Sequence, residues 1–160
     1  MADKHKAVID FLLNCPAIQN SSLYFNFTEA EDDNKQFVTA SNDKLMNRNF
    51  VDGSVERQYT FTIIDYRSVV YQAIVQTPEL VGANENVEEL LDVQGIMDWI
   101  NEQADAHNYP DFGEEFFIDD MRTLTENPNM NGVDTSLTPA LAKYSISVQI
   151  DYIDYTKRIY

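Results

Sequence analysis

A chain of 160 residues with a formal net charge of −16 is not expected to carry a nucleic-acid-binding surface, because Lys and Arg are too few to displace counterions from phosphate. Its single cysteine rules out an internal disulfide framework, and no stretch reaches the roughly eighteen apolar residues of a membrane helix. The length suits one domain, residues 1–160, able to bury about 68–70% of the surface its unfolded chain exposes.

The start, MADKHKAVIDFLLNCP, is too polar and too short in its apolar run for a signal peptide, so synthesis in the cytoplasm is expected. Asp3 is placed to cap a first helix striped by Ala7, Val8, Phe11, Leu12 and Cys15, with Pro16 just past its end. Leu23, Phe25 and Phe27 then alternate with Tyr24 and Asn26, the period of a strand. The acidic stretch EAEDDN follows, with Glu29, Glu31, Asp32 and Asp33. Carboxylates so close suit a hard cation such as calcium, but the spacing misses the calcium loop and lacks its turn glycine. The favoured reading is a solvated hairpin tip, with Gln36–Ala40 as the returning strand. Asn42–Gly53 reads as polar and irregular, ending in the turn dipeptide Asp52-Gly53.

Glu56–Tyr66 is the clearest strand, with Tyr59, Phe61 and Ile63 on one face and Gln58, Thr60 and Thr62 on the other. Ile63-Ile64 breaks the alternation, which predicts a bulge or a change of environment there. Arg67–Val75 is compatible with a continuing strand or a short helix, and Thr77–Glu85 is a loop.

The best long helix is predicted over Asn86–His107. Leu90, Val93, Met97, Ile100 and Ala104, with Ile96 beside them, recur at spacings of three and four and form one stripe. Asn86 is a plausible N-cap, followed by Glu88 and Glu89 at the positive end of the dipole. Gly95 costs roughly 1 kcal/mol relative to Ala inside a helix, which a close approach by a strand or neighbouring chain would explain. Trp99 leaves the stripe at about 100° per residue, the first hint of a second contact surface. After a turn-rich HNYPDFGE, Phe116–Leu124 reads as a strand with Phe116, Ile118 and Leu124 on one face and Phe117 and Met121 on the other. Glu126–Pro139 is a polar excursion. Tyr144, Ile146, Val148, Ile150 and Tyr152 then mark the last strand. Two amphipathic helices covering one face of an antiparallel or mixed sheet make the fold α+β.

Chemistry has few candidates. His5, His107 and Cys15 form no nucleophile and oriented base by spacing, and there is neither a phosphate loop nor a His/Cys ligand set. No catalytic residue, metal site or cofactor is therefore assigned. His107 suits a helix C-terminus, where an imidazolium meets the negative end of the dipole.

The segments ERQYTFTIIDYRSV, LLDVQGIMDWIN (Leu90–Asn101) and NPNMNGVDTSLTPALAKYS (Asn127–Ser145) carry a resemblance along nearly the whole chain. The sequence resembles small structural proteins of phages of Gram-positive bacteria, often labelled minor capsid proteins and found beside tail-tube genes. Its order of elements is similar to that of tail terminators, α+β subunits that close the tail tube as a hexameric ring, and that assignment is a fold-level analogy. The resemblance implies a non-enzymatic virion protein whose partners are further copies of itself, the tail tube protein and a head-side connector, with DNA passing through the ring and no membrane involved. The alternatives are a head–tail connector or stopper and a small metal-dependent enzyme using the Glu29–Asp33 carboxylates.

A ring subunit meets two neighbours through different surfaces, so it needs two apolar patches beyond its core. Leu91 with Trp99 on the back of the long helix, and Tyr152, Tyr155 and Tyr160 near the C-terminus, are the candidates, since aromatic residues are enriched in interface cores. The same tyrosines equally suit the edge of the subunit's own core. Glu29, Glu31, Asp32 and Asp33 are expected on a ring surface, where they would repel phosphate.

Overall fold

The computed structural model describes residues 4–19, 23–25, 35–39, 44–68, 83–134 and 141–156. Helices α1 (Lys4–Leu12) and α2 (Pro16–Gln19) precede strands β1 (Leu23–Phe25), β2 (Lys35–Thr39), β3 (Lys44–Asn49) and β4 (Val55–Ser68). The long helix α3 (Ala83–Asp105) follows, then β5 (Phe116–Thr123), β6 (Asn129–Asp134) and β7 (Leu141–Asp154). The α+β class is as expected, and the sheet is mixed: β1 runs parallel to β2, and the other pairings are antiparallel.

Two strands form the spine. β4 and β7 are each 14 residues long and pair without interruption from Val55↔Asp154 to Ser68↔Leu141. Strands seldom exceed about ten residues, and here the extra length lets each outer edge take two shorter strands end to end. β3 and β2 share the edge of β4, while β5 and β6 share that of β7. Period-two alternation then sorts the side chains. Tyr59, Phe61 and Ile63 lie opposite Ile150, Val148 and Ile146, all buried in one cluster with Val8, Phe11 and Leu12 of α1. On the other face Thr60 meets Gln149, and the Thr62 and Ser147 hydroxyls lie 3.0 Å apart.

The predicted stripe of α3 is in place. Val93, Ile96, Met97 and Ile100 are buried, with Leu90 and Ala104 packed at the margin. The helix starts at Ala83, so Asn86 lies within it rather than capping it. Its C-terminus is closed by His107, at φ 55°, with His107 N–H donating to the Ala104 carbonyl and Asn108 N–H to that of Gln103. This is the paired-bond closure that usually employs glycine. Gly95 has no close neighbour: a Cβ built there meets nothing within 4 Å. No strand among the described residues explains it, and Gly95→Ala is expected to raise stability by about 0.5–1 kcal/mol, read from the urea midpoint. A loss would mean the added methyl meets something.

Four expectations need correction. Leu23–Phe27 and Gln36–Ala40 are not arms of a hairpin, because Leu23 pairs with Lys35 and Phe25 with Phe37 in parallel. Alternation specifies faces, not direction, and a tight turn cannot join parallel strands. Asn42–Gly53 holds β3, and Glu126–Pro139 holds β6; both pair with the spine despite sequences poor in β-branched residues. At Ile63-Ile64 the first alternative, a bulge, is absent, since both neighbouring registers run straight through it, and the second, a change of environment, is present, since Asp65 and Arg67 follow on the buried face. Register shifts occur instead in β3 and β6, and a bulge lies in β5 between Ile118 and Asp120. It resets the phase, so Met121 joins Ile118 in the core, and Phe117 is left exposed. Of Arg67–Val75, β4 takes in the first two residues, and the remainder lies outside the described residues.

Past Ile63 the core face of β4 turns ionic. Asp65 and Lys35, paired across strands, are 0% exposed, with Lys35 Nζ 3.7 Å from Asp65 Oδ2. Arg67 donates to the same carboxylate through Nε at 3.2 Å and Nη2 at 3.1 Å, and its Nη1 approaches Asp92 of α3 at 3.5 Å. The two-pronged geometry suits a guanidinium, and each buried charge requires such partners.

Candidate subunit interface

The residues singled out in the sequence fall into three groups. Leu91 is 61% exposed on α3. Trp99 is not on a free surface: its indole lies tilted against Phe11 at 5.0 Å between centroids and packs at the core margin. The second contact surface of α3 is thus helix α1 of the same chain. Tyr152 is likewise a core residue, 1% exposed. Its ring meets Phe112 and Phe116 edge-on at 5.4 and 5.9 Å, with the Lys4 ammonium 5.5 Å from its centre. It shares the phase of Ile150 and Val148, and that phase faces the helices. Tyr155 is half-buried at the surface. Tyr160 and the acids Glu29, Glu31, Asp32 and Asp33 lie outside the described residues.

Tyr155 belongs to a surface feature that was not anticipated. Phe50, Val51, Asp52, Ser54, Ile153 and Tyr155 line a recess of about 470 Å³ at the Val55–Asp154 end of the spine. The β3–β4 turn supplies one wall. Gly53 at φ 90° donates to the Phe50 carbonyl at 3.0 Å, and the Asp52 carboxylate accepts from the Ser54 amide and hydroxyl at 3.0 and 2.6 Å. A turn tied this way holds Phe50 and Val51 at its tip, so Val51 is wholly exposed. The other wall is the end of β7, anchored by Tyr155 N–H donating to the Glu115 carbonyl at 2.8 Å. Phe117, exposed and opposite Ile153, extends the apolar area along β5.

Asp154 fastens the base of this wall. Burial works against its charge, but the Thr156 hydroxyl and amide and Arg57 Nε, at 2.9 Å, outweigh it and hold the carboxyl below its ordinary value. A depressed folded value gives stability that is present above the unfolded value, about 3.9, and lost as pH falls through the folded one. Asp154→Asn is expected to cost about 1–2 kcal/mol at neutral pH and to flatten the fall in Tm on acidification. An unchanged acid limb would assign that fall to other carboxylates.

A second apolar group lies at the other end of the spine. Leu124, Met130 and Val133 are 48%, 58% and 38% exposed, with Val133 paired to Ala142 at the start of β7. The two groups occupy diagonally opposite corners, one on the β3 side and one on the β6 side. Residues 142 and 153 of β7 are separated by about 35 Å at roughly 3.3 Å per residue.

The recess corner left a trace in the sequence. Phe50-Val51 is an apolar pair directly before a turn dipeptide, and Ile153 and Phe117 are apolar residues out of phase with their strands. Neither the models of known protein families nor the curated protein sequences contain a match to this chain.

Proposed function

We propose that this protein is a virion structural protein, a tail terminator whose copies form a hexameric ring that caps the tail tube and joins it to the head-side connector. The observation that carries the reading is the presence of two different apolar surfaces at opposite corners of one rigid sheet. Head-to-tail closure of a ring needs two unlike patches per subunit, whereas a two-fold dimer needs one. The resemblance of Leu90–Asn101 and Asn127–Ser145 to minor capsid proteins supports the choice of assembly, and the strongly acidic composition suits a passage that DNA slides through without sticking. The role asks for no catalysis and no cofactor.

The test is solution mass by light scattering, alone and with purified tail tube protein, followed by electron microscopy of the product. Rings near six times 18.4 kDa, seated on tube ends, are the expected result. A single-chain mass under every condition would sink the ring. Binding to the head-side connector but never to tube would identify a stopper instead.

A further inference from the structure

We infer that Asn131 is a site of spontaneous covalent modification, converted to aspartate and isoaspartate through a cyclic imide closed by the backbone nitrogen of Gly132. Asn131-Gly132 is the one Asn-Gly pair in the sequence. Asparagine is among the thermolabile residues, because the nitrogen of the next residue closes a ring onto its side-chain carbonyl carbon. A Cβ on that next residue obstructs closure, and glycine has none.

A strand held in its ladder cannot bend to bring the two atoms together, so the backbone decides whether such a pair reacts. β6 is not held at this point. Met130 pairs with Tyr144 and Val133 with Ala142, so Asn131 and Gly132 stand opposite the single residue Lys143. Two residues against one is a bulge, where the ladder is interrupted. Gly132 is exposed at φ 138°, and a Cβ built there meets nothing within 4 Å. Neighbouring pairs show what protection requires. At Asp52-Gly53, Gly53 N–H donates to the Phe50 carbonyl at 3.0 Å, and Ser54 holds the Asp52 carboxylate. At Asn127-Pro128 the nitrogen carries no hydrogen. Asn129 is paired with Ser145 and followed by methionine.

In the reaction hydroxide takes the Gly132 amide proton, and the nitrogen bonds to Asn131 Cγ. The Cγ–N bond of the side-chain amide breaks, and ammonia leaves with a proton from water, regenerating hydroxide. Water then adds across either of the two ring C–N bonds, giving isoaspartate or aspartate, with nothing oxidised or reduced. Both products add a negative charge beside Met130 and Val133, two residues of the exposed apolar corner. The inference stands apart from the ring reading.

The test holds the folded protein and the urea-unfolded chain in mildly alkaline buffer, digests both with trypsin, and reads the peptide 123–143 by fragmentation mass spectrometry. In the folded protein Asn131 is expected to exchange its amide for an acid within about tenfold of the unfolded rate, as a segment that opens at little cost allows. Isoaspartate and aspartate should both form, at a rate proportional to hydroxide, while Asn129 in the same peptide keeps its amide. Asn131→Gln should leave the peptide unchanged. Greater protection in the folded state would overturn the inference, because the bulge would then be held as firmly as the ladder. Aspartate without isoaspartate would also overturn it, since direct hydrolysis forms no ring, as would equal reaction at Asn129.

Discussion

Asp65→Ala is expected to be the most damaging single change, lowering stability by about 3–5 kcal/mol. Its carboxylate is fully buried and is shared by Lys35 and by both prongs of Arg67. Removing it leaves Lys35 and Arg67 without the buried carboxylate they share, Arg67 keeping Asp92 at 3.5 Å, and the cost is mainly the desolvation of charges that have lost a counter-ion. The pair itself is not the source of net stability, and a second variant tests that. Replacing Lys35, Asp65 and Arg67 together with Met, Leu and Met removes the charges and keeps most of the volume, so it should lie much closer to wild type than Asp65→Ala alone. Urea unfolding measures both. A loss below about 1 kcal/mol for Asp65→Ala would mean that water reaches the cluster, and a triple variant worse than the single would mean that the charges contribute net stability.

Ile100→Ala is expected to cost about 2–5 kcal/mol. The side chain is 0% exposed on the buried stripe of α3, among Val93, Ile96 and Met97. Truncation removes transfer free energy and leaves a space that the β-sheet beneath is too stiff to fill. Leu91→Ala on the same helix is the control: at 61% exposed it should change stability by no more than about 0.5 kcal/mol. Trp99→Ala belongs with the core, because it strips Phe11 of its tilted aromatic partner and loosens α1. Equal effects at positions 91 and 100 would mean that the stripe faces the wrong way.

The parts legible in advance were those where one periodicity ran undisturbed. The α3 stripe and the alternations of β4 and β7 rest on side-chain spacing, which fixes the buried face wherever one side of an element is covered. What escaped the sequence depended on partners. β3 and β6 hold strand geometry through pairing with the spine, not through their own residues. The direction of β1 against β2 leaves no mark in a pattern that reads the same both ways. Trp99 was correctly placed off the stripe, but angle alone does not say whether another helix of the same chain lies there. Tyr152 was grouped with Tyr155 and Tyr160 by residue type, although its phase with Val148 and Ile150 already assigned it to the core. The apolar corners were missed because exposed Phe50 and Val51 look like any turn flank until the turn is closed.

The β4–β7 spine also governs when the chain can fold. Its two strands join residues far apart in sequence, 85 positions between Thr62 and Ser147 and 97 between Arg57 and Asp154. Such contacts demand closure of a long loop before any reward arrives, which makes folding slow compared with helical proteins of the same size. β2 and β3 pair with β4, but β5 and β6 pair with β7, so that half of the sheet has no platform until β7 has left the ribosome. A nascent chain stalled after α3 holds Tyr59, Phe61 and Ile63 with nothing from β7 to pair with β4, the condition in which chaperones are needed. The complete sheet consequently forms only once β7 has been made, because β4, β5 and β6 all pair with it.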